Sequence, residues 1–216
     1  MVSAPSQPSE VRTEVLSVAT RLFARRGFAD TSLQLIADEV GVTKQAVLHY
    51  FASKSTLRQA VLDSILDHWR DVLPGLLLAA SASEDRFDAV IGELYRFFTD
   101  DPDRARLIVR EMLDRPEEAK QLMREAVRPW LLAVAGYIES GREHGRHWPN
   151  VDPEVYVLHM LQLVLGAVSS AGVSTAAIQP ASDAGYRYER ELLRIARAAL
   201  FRDGGPRDAQ RVPETR

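Results

Sequence analysis

Cysteine is absent from the 216 residues. That excludes a disulfide framework and any thiolate metal site, and it agrees with a reducing, cytoplasmic setting. No stretch is long and apolar enough to span a bilayer, so no membrane partner is expected. The longest apolar run, residues 155–168, is interrupted by His159 and Gln162 and falls short of the ~20 residues a spanning helix needs. The first ten residues contain Pro5 and Pro8 and lack an apolar stretch, so they read as a disordered arm and not as a secretory leader. Strand-type alternation and internal repeats are missing. So are a nucleophile elbow, a phosphate-binding glycine loop and a pair of catalytic carboxylates, which argues against an enzyme. Nor is there an excess of positive charge. The net charge is −3, which offers a polyanion no overall attraction.

The distribution of charge says more than its total. Residues 1–59 hold seven Arg and Lys against five Asp and Glu, a net of +2, which leaves −5 for the remainder. A mildly basic head on an acidic body suits a small nucleic-acid-reading unit carried by a body that does not touch nucleic acid. Hydrophobic residues make up 46 %, and they recur with helical spacing throughout. The reading is all-α, with about nine helices. The first is capped by Ser9 or Thr13 and runs to about Arg26. A helix from Lys54 carries Leu57, Val61, Ile65, Trp69 and Leu73, and Pro74-Gly75 ends or kinks it. A helix over Glu84–Thr99 follows, then one over Ala105–Leu113. A long one from Pro116 to about His144 should kink at Pro129. One from Asp152 to about Ala171 opens with an N-cap, a proline and an acid. The last spans Asp183–Phe201. The domain scheme is a disordered arm (1–8), a three-helix unit (9–53), a larger helical body (54–202) and a flexible tail (203–216).

The chain is organised around residues 32–51, SLQLIADEVGVTKQAVLHYF. Ser32 caps a helix that places Leu33, Ile36, Ala37 and Val40 on one face. Gly41 stops that helix with a left-handed turn. Thr43 then caps a second helix, which buries Val47 and either Leu48 or Phe51. Ala37 supplies the small side chain that two steeply crossed helices need where they meet. This is the spacing of a helix-turn-helix. The second helix keeps Lys44, Gln45, His49 and Tyr50 off its buried side. Gln can pair with an adenine edge and Lys with a guanine edge, at the helix start that reaches deepest into a major groove. Thr31, Ser32, Thr43, Tyr50 and Lys54 suit phosphates, and His49 suits either role. Lys54, a cation at a helix start where the dipole disfavours it, reads as a phosphate ligand.

The flanks extend the motif. The runs A-x-x-L-F-A-x-x-G-F-x-x-T-S from Ala19, I-A-x-x-V-G-V-T from Ile36 and Y-F-x-S-K-x-x-L from Tyr50 resemble the TetR family of bacterial transcriptional repressors over about residues 15–57. Two positions depart from the family pattern. Gln45 stands where a small residue or proline is usual, and Leu48 where a tyrosine is usual, with His49 one place later. The resemblance implies a dimeric repressor, released from a palindromic double-stranded DNA operator by a small organic effector bound in the body. No cofactor or metal is implied. An all-α enzyme or small-molecule carrier with a merely structural helix-turn-helix is the first rival, and an architectural DNA-binding or interaction protein the second.

The body offers candidates for the other two roles. Trp69, Trp130 and Tyr137 are aromatic positions suited to an effector cavity. Arg110 shares a short helix with Arg106, Glu111, Leu107 and Ile108, from which some of the charged side chains can face inward though surface is the commoner outcome for each, and His159 is a polar group in an apolar helix. The resemblance implies that the last two long helices pair with their copies in a dimer seam, through Leu158, Leu161 and Leu165 on one and Tyr188, Leu192, Ile195 and Ala199 on the other. His144 and His147, three apart, fall at a helix end beside Gly145, where a cation near the C-terminal dipole explains them without a metal.

Overall fold

The computed structural model describes residues 8–82 and 87–202. The arm and tail expected at 1–8 and 203–216 lie outside those residues except for Pro8, as does the start expected at Glu84. Helix α1 spans Pro8–Arg26, α2 Leu33–Val40, α3 Lys44–Tyr50, α4 Lys54–Ala82, α5 Phe87–Thr99 and α6 Pro102–Asp114. Then come α7 Pro116–Leu122, α8 Arg128–Glu143, α9 Pro153–Ser169, the single turn α10 Ala171–Ser174, and α11 Ala184–Leu200. Among the described residues the only extended pairing is an isolated antiparallel bridge between His147 and Phe201. The all-α expectation holds. Among the described residues no single helix is long and apolar enough to cross a membrane.

Three local outcomes differ from the sequence reading. Helix α1 begins before either expected cap, and Thr13 Oγ1 donates to the Ser9 carbonyl inside it at 3.0 Å. Helix α4 does not end at Pro74 but continues through it to Ala82. The kink expected at Pro129 takes the form of a π-helical turn, Met123–Val127, immediately before α8. Proline lacks an N–H and its ring crowds the carbonyl four residues back, and a wider turn at that point relieves both.

α1 packs across α2, α4 and α6, so the head leans on the body through its first helix. Arg25 Nε on α1 bonds the buried carboxylate of Asp103 on α6 at 3.0 Å. One hydrophobic cluster runs from Val15, Phe23 and Ile36 in the head through Leu57 and Val61 to Leu107, Leu165 and Leu200 in the body. Each large side chain removed from water in this way contributes about 1.5–3 kcal/mol. The end of α11 is fastened by the loop after α8. Trp148 N bonds Leu200 O at 3.0 Å, and the ring of the buried His147 lies edge-on to Phe201 with centroids 4.9 Å apart.

That His147 ring is set directly against Gly141. A Cβ there would sit 2.0 Å from His147 Nδ1, the atom that bonds the Ile138 carbonyl at 2.9 Å. Gly141→Ala should therefore destabilise the fold by about 1–3 kcal/mol, as overpacking does. In the same helix nothing lies within 4 Å of a Cβ at the exposed Gly136. There Gly→Ala should stabilise by roughly 0.5–1 kcal/mol through helix propensity. Urea midpoints of the two variants moving in the same direction would refute this account of the α8 C-terminus.

Candidate functional site

The head forms the expected pair of crossed helices. Ser32 Oγ accepts from Leu35 N at 3.1 Å and Thr43 Oγ1 from Ala46 N at 3.1 Å, so both helices start on side-chain caps. Gly41 holds φ +79°, and its N–H and that of Val42 both reach the Ala37 carbonyl at 3.0 Å. Only glycine takes that conformation without a Cβ penalty. Ile36, Ala37 and Val47 are fully buried, and Phe51 rather than Leu48 completes the inner face. Burial of this face turns Lys44, Gln45 and His49 to solvent, with Tyr50 half-buried and edge-on to His49.

Two of the residues read as phosphate ligands are used otherwise. Thr31 is fully buried, and its hydroxyl donates to the Gly27 carbonyl at 2.8 Å. Lys54 turns its ammonium back into the head. Nζ donates to Phe28 O at 2.7 Å, Thr31 O at 2.8 Å and Ala29 O at 3.4 Å, and it sits 4.2 Å from the centre of the Phe28 ring. The anion that the helix start called for is thus a nest of carbonyls in the loop that enters α2. Ser32, Thr43, Lys44, Gln45, His49 and Tyr50 remain as the outward set.

Phe28 is also approached by Arg115 at 4.3 Å and Arg58 at 5.8 Å. Arg58, on α4, is buried and grips Glu111 of α6 with Nε at 3.0 and 2.9 Å and with Nη2 on the same carboxylate. Its Nη1 reaches Glu118 at 2.6 Å. Burial alone would lower the Arg58 pKa, but hydrogen bonding and charge from Glu111 and then Glu118 raise it overall, so the group stays cationic. This pair was not singled out in the sequence, although Arg58 falls on the Val61–Ile65 stripe and Glu111 sits four residues after Leu107.

Glu111 also forms part of the wall of a cavity enclosing about 180 Å³ between α4, α5, α6, α7, α8 and α9. Trp69, Trp130 and Tyr137 line it. Arg110 and His159 do not. Arg110 lies toward α1, with Nη2 3.4 Å from Arg25 O, and His159 is exposed on the far side of α9. Three of the residues read as dimer seam, Leu158, Leu161 and Leu165, face this cavity instead. Leu192 is buried in its own chain, whereas Ile195 and Ala199 are exposed and Tyr188 is partly so. An apolar residue satisfies a pocket and an interface equally well, and hydrophobicity alone does not separate them. Tyr156, missed in the sequence, also lines the cavity and ties α9 to α11 through Oη donating to Ala196 O at 2.6 Å. Burial pushes its phenol pKa far up, so it remains a donor. Left empty, a cavity of this volume costs on the order of 4 kcal/mol.

A three-helix head with a capped, outward-facing second helix, carried by a hollow helical body, defines a helix-turn-helix protein. Residues 15–61 match the family model for bacterial regulatory proteins, tetR family. Over those residues the chain resembles that family. It is 40 % identical over 63 residues to the transcriptional repressor KstR2 of Mycolicibacterium smegmatis, covering 29 % of this chain and 31 % of that protein. It is 31 % identical over 143 residues to the transcriptional regulator RutR of Escherichia coli strain K12, covering 62 % of this chain and 65 % of that one. The match thus spans about a third of the first relative's length and just under two thirds of the second's. The structure of the ketosteroid transcriptional regulator KstR2 of Mycobacterium tuberculosis superposes with a TM-score of 0.64 at 17 % identity, over 89 % of this chain and 95 % of that one, a likeness of fold.

The Lys54 geometry leads to a test. Lys54→Ala should lower stability by roughly 1–3 kcal/mol by leaving the Phe28 and Thr31 carbonyls without their donor. It should leave the salt dependence of DNA binding, measured where the protein stays folded, within half a unit of wild type. Full stability together with a slope reduced by about one would show instead that the ammonium serves phosphate.

Proposed function

We propose that this chain is a DNA-binding transcriptional regulator. In this reading it is a dimeric repressor that holds a palindromic operator and is released by a small organic effector. The observation that carries it is the exposed Lys44–Gln45–His49 face, on a helix fixed at both ends within a head that matches the family. Lys44 and Gln45 occupy the first turn of that helix, where side chains meet base edges. Ser32, Thr43 and Tyr50 stand beside them for phosphate. The relatives named as regulators support this over an enzyme or carrier.

The effector site in this reading is the cavity lined by Trp69, Trp130, Tyr137 and Tyr156. A ligand acts on DNA affinity only through its different affinity for two conformations. The route from cavity to head runs through Glu111 and Arg58 to Phe28, and then to the carbonyls that Lys54 holds at the entrance to α2. Filling the cavity displaces α4 against α6, and the head moves with it.

Dimerisation is proposed through the side of α9 away from the cavity, where Val155, His159 and Gly166 are exposed, together with Ile195 and Ala199 of α11. Nothing lies within 4 Å of a Cβ at Gly166, which leaves room for a second backbone. A two-fold dimer would set two heads about one DNA turn apart, roughly 34–36 Å.

Selection of bound sequences from a random DNA pool at fixed salt tests the reading directly, since it predicts a short palindrome. In that assay Gln45→Ala should relax preference at one position per half-site, by roughly 1–3 kcal/mol. Lys44→Ala should reduce the salt slope by about one per head. No enriched sequence, or an unchanged motif and affinity in Gln45→Ala, would overturn the base-reading role.

The seam has its own test. Arginine at Val155 or Ile195, both exposed in the single chain, should leave the fold intact, shift sedimentation to the monomer and weaken operator binding at least about tenfold. Unchanged size and unchanged operator binding in both variants would place the seam elsewhere. Leu165→Arg does not serve here, because Leu165 is 2 % exposed and belongs to the chain's own core.

A further inference from the structure

We infer that the cavity takes an uncharged, largely apolar molecule carrying hydrogen-bond acceptor oxygens, received by the indole N–H groups of Trp69 and Trp130. The inference rests on the effector reading above and concerns the chemistry of that ligand.

The lining is aliphatic and aromatic almost throughout and includes no lysine, arginine or histidine. An anion entering it would be stripped of water with no counter-charge to meet it. The one carboxylate in the wall, Glu111, is already held by both Nε and Nη2 of Arg58. A cationic ligand would have to compete with a buried partner in ideal fork geometry. Both signs of charge are therefore disfavoured, for separate reasons.

Neutrality alone would admit a plain hydrocarbon, but the donors do not. The indole nitrogens of Trp69 and Trp130 are both buried, and neither has a hydrogen-bond partner in the protein. Indole nitrogen donates and never accepts. Buried donors are nearly always paired, and leaving one unmade forfeits its full desolvation. The other hydroxyl in the wall whose bond is known, that of Tyr156, is already spent on Ala196 O. Gln162 is the one amide in the wall and is exposed, so what the two indoles lack is an acceptor, and they lack it on two helices, since Trp69 is on α4 and Trp130 on α8. A ketone, ester or lactone oxygen supplies such an acceptor without charge. Through Trp69 it also anchors the ligand to α4, the helix that bears Arg58 and Lys54.

The test is calorimetric titration of the full-length protein with four molecules of matched size: 1-phenylhexan-1-one, hexylbenzene, 6-phenylhexanoate and 6-phenylhexylamine. The ketone should bind about tenfold or more tighter than hexylbenzene, and the carboxylate and amine weaker than either. Trp69→Phe and Trp130→Phe keep a ring and remove the N–H. Each should weaken the ketone about 2- to 10-fold and leave hexylbenzene unchanged. Should a variant fail to fold, the ketone-to-hydrocarbon ratio on the unaltered protein still decides. Equal affinity for ketone and hydrocarbon, or a charged analogue bound as tightly as the ketone, overturns the inference while leaving the cavity a ligand site. If none of the four binds and none releases selected DNA, the effector reading falls and takes this inference with it.

Discussion

A guanidinium and a carboxylate held together out of water, Arg58 of α4 and Glu111 of α6, join the two halves of this molecule. Removing two charges from solvent is expensive, and an apolar pair of the same shape would often be as stable or more so. What the ion pair adds is geometry. Its fork admits one relative placement of α4 and α6, and it does so at a point where one partner borders the cavity and the other borders Phe28. Breaking it from either side would strand a buried charge, so a displacement at the cavity wall cannot be absorbed locally.

The neighbouring contacts follow from that constraint. Phe28 is met by three cations, from Lys54, Arg58 and Arg115, which come from α4 and from the corner between α6 and α7. An aromatic face attracts cations, yet the three repel one another, and Glu111 and Glu118 make the cluster tolerable. Lys54 then gathers the carbonyls of residues 28, 29 and 31, immediately before the Ser32 cap. A small head with little core of its own gains rigidity from these polar ties and from α1 lying across α6.

The body makes the opposite trade. Its helices could have been filled to the usual interior density, but they enclose a space lined by aromatic and aliphatic side chains. Stability forgone in this way is common where a protein must accept a ligand. The π-helical turn before Pro129 is part of the same arrangement, since Met123 and Val127 at its two ends both line the cavity. A packing adjustment forced by one proline has become part of the wall.

Much of the head was legible in the sequence because its determinants are local. Caps at Ser32 and Thr43, a left-handed glycine at 41 and a small residue at 37 act within a few residues, and their spacing alone specifies crossed helices and which side chains face outward. Most helix positions in the body followed from 3.6-residue periodicity for the same reason, but the single helix expected from Pro116 to His144 is divided into α7, the π-helical turn and α8, and α10 was read as a looser connection. Periodicity reports that a face is apolar and not what covers it, so it read Leu158, Leu161 and Leu165 as a seam without showing that they line a cavity. Likewise Thr31 and Lys54 are polar residues beside a helix-turn-helix, and nothing local tells that their partners are carbonyls within the head. Arg58 and Glu111 are 53 positions apart. Their pairing, the cavity that Glu111 borders and the inward turn of Lys54 are decided by tertiary packing, because only there do residues remote along the chain compete for the same space and the same hydrogen bonds.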